Sequence, residues 1–207
     1  MKFKVHRLLL IYLIIGSSTL HAACEEDLYL KKWEDFSRSP EKEKLIRWAG
    51  RLIVAEVAGK KFNEKFDARV PEFYGKLGVF ATVIKGGTVR GCFGAFSHSS
   101  TVFEAVIAEY LNGAITLDPR SKPLDIAELR SSRIIITITT QPYSVGNLDT
   151  VDLRKYGVTV ECEGGTSVFV PAEIRVTSRL SRYERDKNCQ YGAFRAVTME
   201  GPVMSDF

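Results

Sequence analysis

Apolar and polar positions change period several times along the chain, and each change marks an element. Ser39-Pro40-Glu41 combines a capping serine with proline at the first helical position. Leu45, Trp48, Ala49, Leu52, Ala55 and Val57 then form a stripe of helical spacing that Gly59 can end. Leu77–Ile84 is apolar on both faces, as in a central strand. Gly86-Gly87 joins it to Thr88–Phe93 through the two-residue loop that demands positive φ. The spacing Thr101-x-x-Glu104 predicts a helix to about Leu111, closed by Asn112-Gly113. Arg133–Thr140 is β-branched and stops at Gln141-Pro142. Val158, Val160 and Cys162 alternate inward, and Gly164-Gly165 predicts a second hairpin, to Val168–Val170. Alternation over Arg175–Tyr183 predicts a strand returning through Asp186-Lys187-Asn188 to Gln190–Met199.

Between these elements, Lys60–Gly75 mixes aromatic and polar residues, breaks helix at Val70-Pro71, and suits the lining of a surface cleft. Helices and antiparallel hairpins in this order predict an α+β fold, a mostly antiparallel sheet with flanking helices, with two subdomains left open. Residues 24–38 read as an N-terminal arm, 39–200 as the domain and 201–207 as a tail. Hydrophobic residues make up 45% of the chain and charged ones 26%, which suits a globular core rather than disorder.

Residues 1–23 stand apart. Lys2, Lys4 and Arg7 precede the apolar run Leu8–Ile15 and a small-residue exit at Ala22-Ala23, the layout of a secretory signal peptide. The expected location is therefore periplasmic or secreted. Cys24, next after Ala23, raises a lipid anchor as a second reading, with membrane association only in that case. Without the leader the 29 basic residues fall to 26 against 25 acidic ones. That near neutrality gives no case for nucleic acid. All four cysteines, Cys24, Cys92, Cys162 and Cys189, then face an oxidising compartment, and Cys162 with Cys189 is the preferred bridge.

Chemistry concentrates in Val89-Arg90-Gly91-Cys92-Phe93-Gly94. Strand alternation sets Arg90, Cys92 and the bare Cα of Gly94 on one face. A guanidinium beside a thiol favours the thiolate, and Gly91 and Gly94 let a ligand or second backbone come close. Packing competes with this reading, because cysteine is commonly buried as a small hydrophobe. Downstream, the proline-bracketed loop from Leu117 to Leu124 presents Asp118 and Arg120.

His98 is the single histidine beyond the leader. Histidine-rich metal centres and the H-E-x-x-H motif are thereby excluded. Its serine neighbours suggest a solvated or capping role rather than catalysis. No phosphate-binding loop, dinucleotide fingerprint or C-x-x-C spacing occurs, and no cofactor is expected.

With these motifs in place the chain resembles the AMMECR domain family over roughly residues 40–199. Gly78–Thr82 is similar to the strand before the family hallmark L-R-G-C-I-G, and Val89–Gly94 to the hallmark itself. Asp118-Pro119-Arg120 with Pro123-Leu124 resembles its D-x-R-F-x-P-L segment. Ile134–Thr139, Val168–Pro171 and Arg179–Tyr183 resemble its later strands. Ser121 stands where the family has Phe, Tyr156 where a His before Gly is common, and the Lys-Ala-Gly helix is missing after Pro171. The resemblance implies an α+β fold with the hallmark beside a cleft, and no established reaction. It also implies Memo-like and radical-SAM proteins as associated partners.

The expected function is an exported binding or accessory domain. Arg90, Gly91, Gly94, Asp118 and Arg120 would hold a small anionic molecule or a protein segment beside Cys92. The alternative is a cysteine-dependent enzyme, with Cys92 as nucleophile and Asp118 or Glu104 carrying the proton.

Overall fold

The computed structural model describes residues 25–119, 122–174 and 188–204. The leader, Cys24, Arg120, Ser121 and the strand expected over Arg175–Tyr183 lie outside them. Helix α1 occupies 25–37 and α2 Glu41–Val57. Strands β1 (Gly78–Lys85) and β2 (Thr88–Ala95) follow, then α3 (Phe103–Thr116) and the short α4 (Ile126–Leu129). Strands β3 (Ser132–Thr139), β4 (Tyr143–Val145), β5 (Tyr156–Cys162) and β6 (Gly165–Phe169) lead to the turn of helix α5 (Pro171–Ile174). The long strand β7 (Gln190–Pro202) completes one antiparallel sheet.

The strands lie in the order β2-β1-β3-β7-β5-β6, with β4 also on β7. Strand β7 unites the two halves: residues 190–195 pair with β5 and residues 196–202 with β3. Strand β4 continues β3 along β7 after a one-residue slip at Gln141-Pro142, where proline has no N–H for the ladder. The sheet curls into a half-barrel. Its outer face carries the main core, where Trp33 of α1, Leu45 and Ile53 of α2, and Ile107 and Leu111 of α3 bury against Val79, Ala81, Ile134, Ile136 and Ile138. Residues 25–37 pack on the domain as a helix, with Leu30, Trp33 and Phe36 in the core. The inner face holds a smaller cluster of Phe80, Val170 and Phe194, with Phe80 and Phe194 stacked at 6.4 Å.

Local signals act largely as expected, with instructive departures. Gly86 and Gly87 take φ of 56° and 77° in the β1–β2 turn. Gly59 at φ 62° ends α2, with its N–H on Glu56 O and that of Lys60 on Ala55 O, a Schellman arrangement. Ser39, however, donates its hydroxyl to Phe36 O, and α2 starts after Pro40 without a side-chain cap. The box at Thr101 and Glu104 does not form; α3 begins at Phe103 behind Val102. Nor does Gly113 end α3, because a Cβ there would meet the Phe93 ring at 2.5 Å. Gly113 is a packing notch. In the second hairpin the turn falls on Glu163-Gly164, with Gly165 already paired to Cys162. The phenylalanines of residues 60–75 face inward, with Phe62 and Phe66 edge-on to Trp48 and Phe73 buried, while Tyr74 is exposed. Cys162 and Cys189 form a disulfide that ties the end of β5 to the approach to β7.

Candidate functional site

Gly91 sets the geometry of the site. A Cβ there would lie 1.7 Å from Ala114 O, so only glycine lets α3 settle this closely on β2. Gly113 on the helix and Gly91 on the strand form reciprocal notches. The docking carries the chain leaving α3 back over β2, and the buried Asp118 accepts the Cys92 N–H at 2.8 Å. Because β2 is the outermost strand, this amide faces away from β1, and the carboxylate takes the place of a neighbouring strand.

Cys92 lies opposite Thr82 in the ladder, and the fully buried Thr82 hydroxyl donates to its Sγ at 3.2 Å. Cys92 stays outside the disulfide and is half-buried. Its side opens on a cleft of about 310 Å³, formed where the curl brings β2 toward β6. Phe80, Phe93, Leu117, Pro119 and Phe169 supply apolar walls; Cys92, Asp118, Thr166 and Ser167 supply polar groups. Gly94 lines the same cleft, and a Cβ on it would strike Val79 O at 2.4 Å.

Arg90 goes elsewhere. The β1–β2 register slips between Val83 and Ile84, so Val83 faces Gly91 and Ile84 faces Val89. Arg90 is the extra residue of a β-bulge, which breaks the alternation that would place it with Cys92. Its Nε and Nη2 each donate to a Glu128 carboxylate oxygen at 3.0 Å, a bidentate pair on α4. Nη2 also reaches Lys122 O at 3.4 Å, and Lys85 Nζ lies 3.3 Å from Glu128. Arg90, with Lys85, pulls the Glu128 carboxyl down to about 2, and Glu128 raises the Arg90 guanidinium. The pair ties Lys122 and α4 to β2, and Arg90 is not part of the cleft lining.

Of the residues singled out from the sequence, the structure gathers Cys92, Gly94 and Asp118 at the cleft. It places Gly91 under α3 and Arg90 on Glu128, while Arg120 lies outside the described residues. His98 is an internal brace. Its Nε2 donates to Leu77 O at 2.9 Å, which leaves Nδ1 to accept from the Tyr110 hydroxyl at 2.8 Å, and its ring packs on Phe73. Sequence reading missed Thr82 and Glu128. A signal for Glu128 was present in the spacing Asp125-x-x-Glu128, which forms the capping box of α4.

Comparison with known proteins agrees with the geometry. The family model AMMECR1 matches residues 46–189. The chain belongs to the AMMECR1 family. A relative from Methanococcoides burtonii is 31% identical over 124 residues, covering 57% of this chain and 60% of its own. One from Thermotoga maritima is 33% identical over 118 residues, 56% of this chain and 67% of that one. The chain therefore spans about 60% of the length of the first of these relatives. A crystal structure of an uncharacterized protein from Pyrococcus horikoshii shares the fold, with a TM-score of 0.58 at 20% identity, covering 77% of this chain and 91% of that one. The AMMECR1 match takes in β2 with its bulge, all of α3 and the loop carrying Asp118.

Proposed function

We propose that this AMMECR1 chain is an exported binding or accessory domain whose cleft between β2 and β6 takes a small molecule or a segment of a partner protein. One observation carries the reading: a half-buried thiol faces a cleft of about 310 Å³ whose walls are apolar and whose edge amide is already satisfied by Asp118. Such walls, with few polar groups, are the usual composition of a ligand site. Arg90 is engaged by Glu128, so anion preference rests on Arg120 rather than on Arg90. The Cys162–Cys189 disulfide and the leader-like residues 1–23 support export.

The test is native mass spectrometry of protein purified from its own envelope, beside Leu117→Trp. Leu117 is 65% exposed at the rim, so an indole there fills the cleft at little cost in stability. A retained mass that disappears in Leu117→Trp at unchanged Tm is the expected result. A mass that persists in the variant, or no mass and no co-purifying protein in either, overturns the reading.

The Thr82 hydroxyl on Sγ favours a second reading, Cys92 as nucleophile, since a donor to sulfur stabilises thiolate. His98 is committed to Leu77 and Tyr110, so Asp118 is the group near Cys92 that could carry a proton. Alkylation of Cys92 by iodoacetamide at pH 7 no faster than a model thiol would refute this alternative.

A further inference from the structure

The geometry points to a second docking site, independent of the Cys92 cleft: the outer edge of β7 at Ala196–Thr198, which receives an extended acidic peptide segment as an added strand. Thr140 N–H donates to Arg195 O and Arg195 N–H to Thr140 Oγ1, so the backbone groups of Arg195 face the β3 side. Alternation along a strand then turns the N–H and C=O of Ala196 and Thr198 to the opposite side. Strand β5 would cover them, but its pairing with β7 ends at Tyr156↔Arg195. There the chain folds into a turn, with Lys155 and Tyr156 N–H both on Asp152 O. Among the described residues no strand covers β7 on that side beyond Arg195.

The withdrawal of β5 leaves a cavity of about 330 Å³ lined by Ala196, Thr198, Leu30, Pro171 and Tyr156. Its charged lining is Arg154, Lys155 and Arg195 against Glu34. Arg195 pairs with Asp27 and lies 3.8 Å from Glu34, which balances that wall. Arg154 and Lys155 are different. Their side chains are 89% and 76% exposed, and they share a single carboxylate: Asp152 takes Nε of Arg154 at 3.0 Å and lies 3.8 Å from Nζ of Lys155, so two cations against one acid leave this wall positive. An edge that offers main-chain donors and acceptors beside two projecting cations suits a peptide that pairs through its backbone and sets a carboxylate against Arg154 and Lys155.

The test uses the full-length chain, ¹⁵N-labelled and titrated to millimolar concentration with a soluble peptide of alternating Val and Glu. The controls are the Val–Lys peptide and the Val–Glu peptide N-methylated at alternate residues. The expected result is a shift of the Ala196 and Thr198 amides by the Val–Glu peptide, with both controls at least about tenfold weaker. Thr198→Pro removes an outward N–H without breaking a β3 bond and should also lose about tenfold. The double variant Arg154→Glu, Lys155→Glu should lose as much and needs no backbone change, so it decides the matter if the proline variant does not fold. Equal binding of the N-methylated peptide, shifts confined to the Cys92 cleft, or no shift at all would overturn the proposal. Shifts confined to the Cys92 cleft would overturn this site while favouring the cleft reading, and the other outcomes leave ligand retention at Cys92 untouched, so the two sites fail separately.

Discussion

Replacing Glu128 by Gln should cost stability in a way that pH can switch off. Gln keeps the size of the side chain and can still close the capping box with Asp125. What it loses is the charge that Arg90 grips at 3.0 Å through Nε and Nη2 and that Lys85 approaches at 3.3 Å. The Glu128 carboxyl falls from the ordinary 4.5 to about 2. A difference of that size corresponds to about 3 kcal/mol of stability at pH 7, and partial exposure to water reduces the expectation to about 2 kcal/mol. A folded-state value below the unfolded one means that the contribution is complete above pH 4.5 and disappears as pH falls toward 2. Urea melts of both proteins at pH 7 should therefore differ by about 2 kcal/mol, or roughly 4–8 °C in Tm for a chain of this size. At pH 2.5 the two curves should draw together. A gap under about 0.5 kcal/mol at pH 7 would refute the clamp, and an equal gap at both pH values would refute its electrostatic origin.

Three further outcomes follow from the packing. Gly91→Ala should destabilise the domain by about 3 kcal/mol or more, since its methyl meets the Ala114 backbone at 1.7 Å and backbone yields less readily than side chains; thermal melts check this, and a loss under about 1 kcal/mol refutes it. Reduction of the Cys162–Cys189 bridge, whose cysteines are 27 residues apart, should cost about 3.5 kcal/mol by loop entropy, read as a shift in urea midpoint with and without dithiothreitol. His98→Ala should cost about 2 kcal/mol by stranding Leu77 O and the Tyr110 hydroxyl, while leaving any ligand at the Cys92 cleft in place.

Signals that act within a few residues were legible in the sequence: the paired glycines of the first hairpin, the Gly59 stop, the β-branched run of β3 and the apolar first strand. Each is local chemistry that the tertiary fold leaves undisturbed. Gly113 misled because a glycine in a helix reads as a stop, whereas its neighbour across space is the Phe93 ring. Arg90 misled for a similar reason. Alternation presumes an unbroken ladder, and one inserted residue at Val83/Ile84 redirects the guanidinium to Glu128, 38 positions away. Cys92 and Asp118 line one cleft, but the contact between them runs through a backbone amide that residue types do not announce. The division of β7 among three partners was likewise invisible, since a 13-residue strand carries no mark of where one neighbour ends.

Asp118 has one more consequence, for self-association. A boundary strand with bare amides invites the same strand of another copy, and repetition of that contact builds fibres. A buried acid seated on the Cys92 amide closes that docking point with its own oxygen, which a second β2 would have to evict before it could pair. The residue that shapes one wall of the cleft thus also guards the molecule against its own copies.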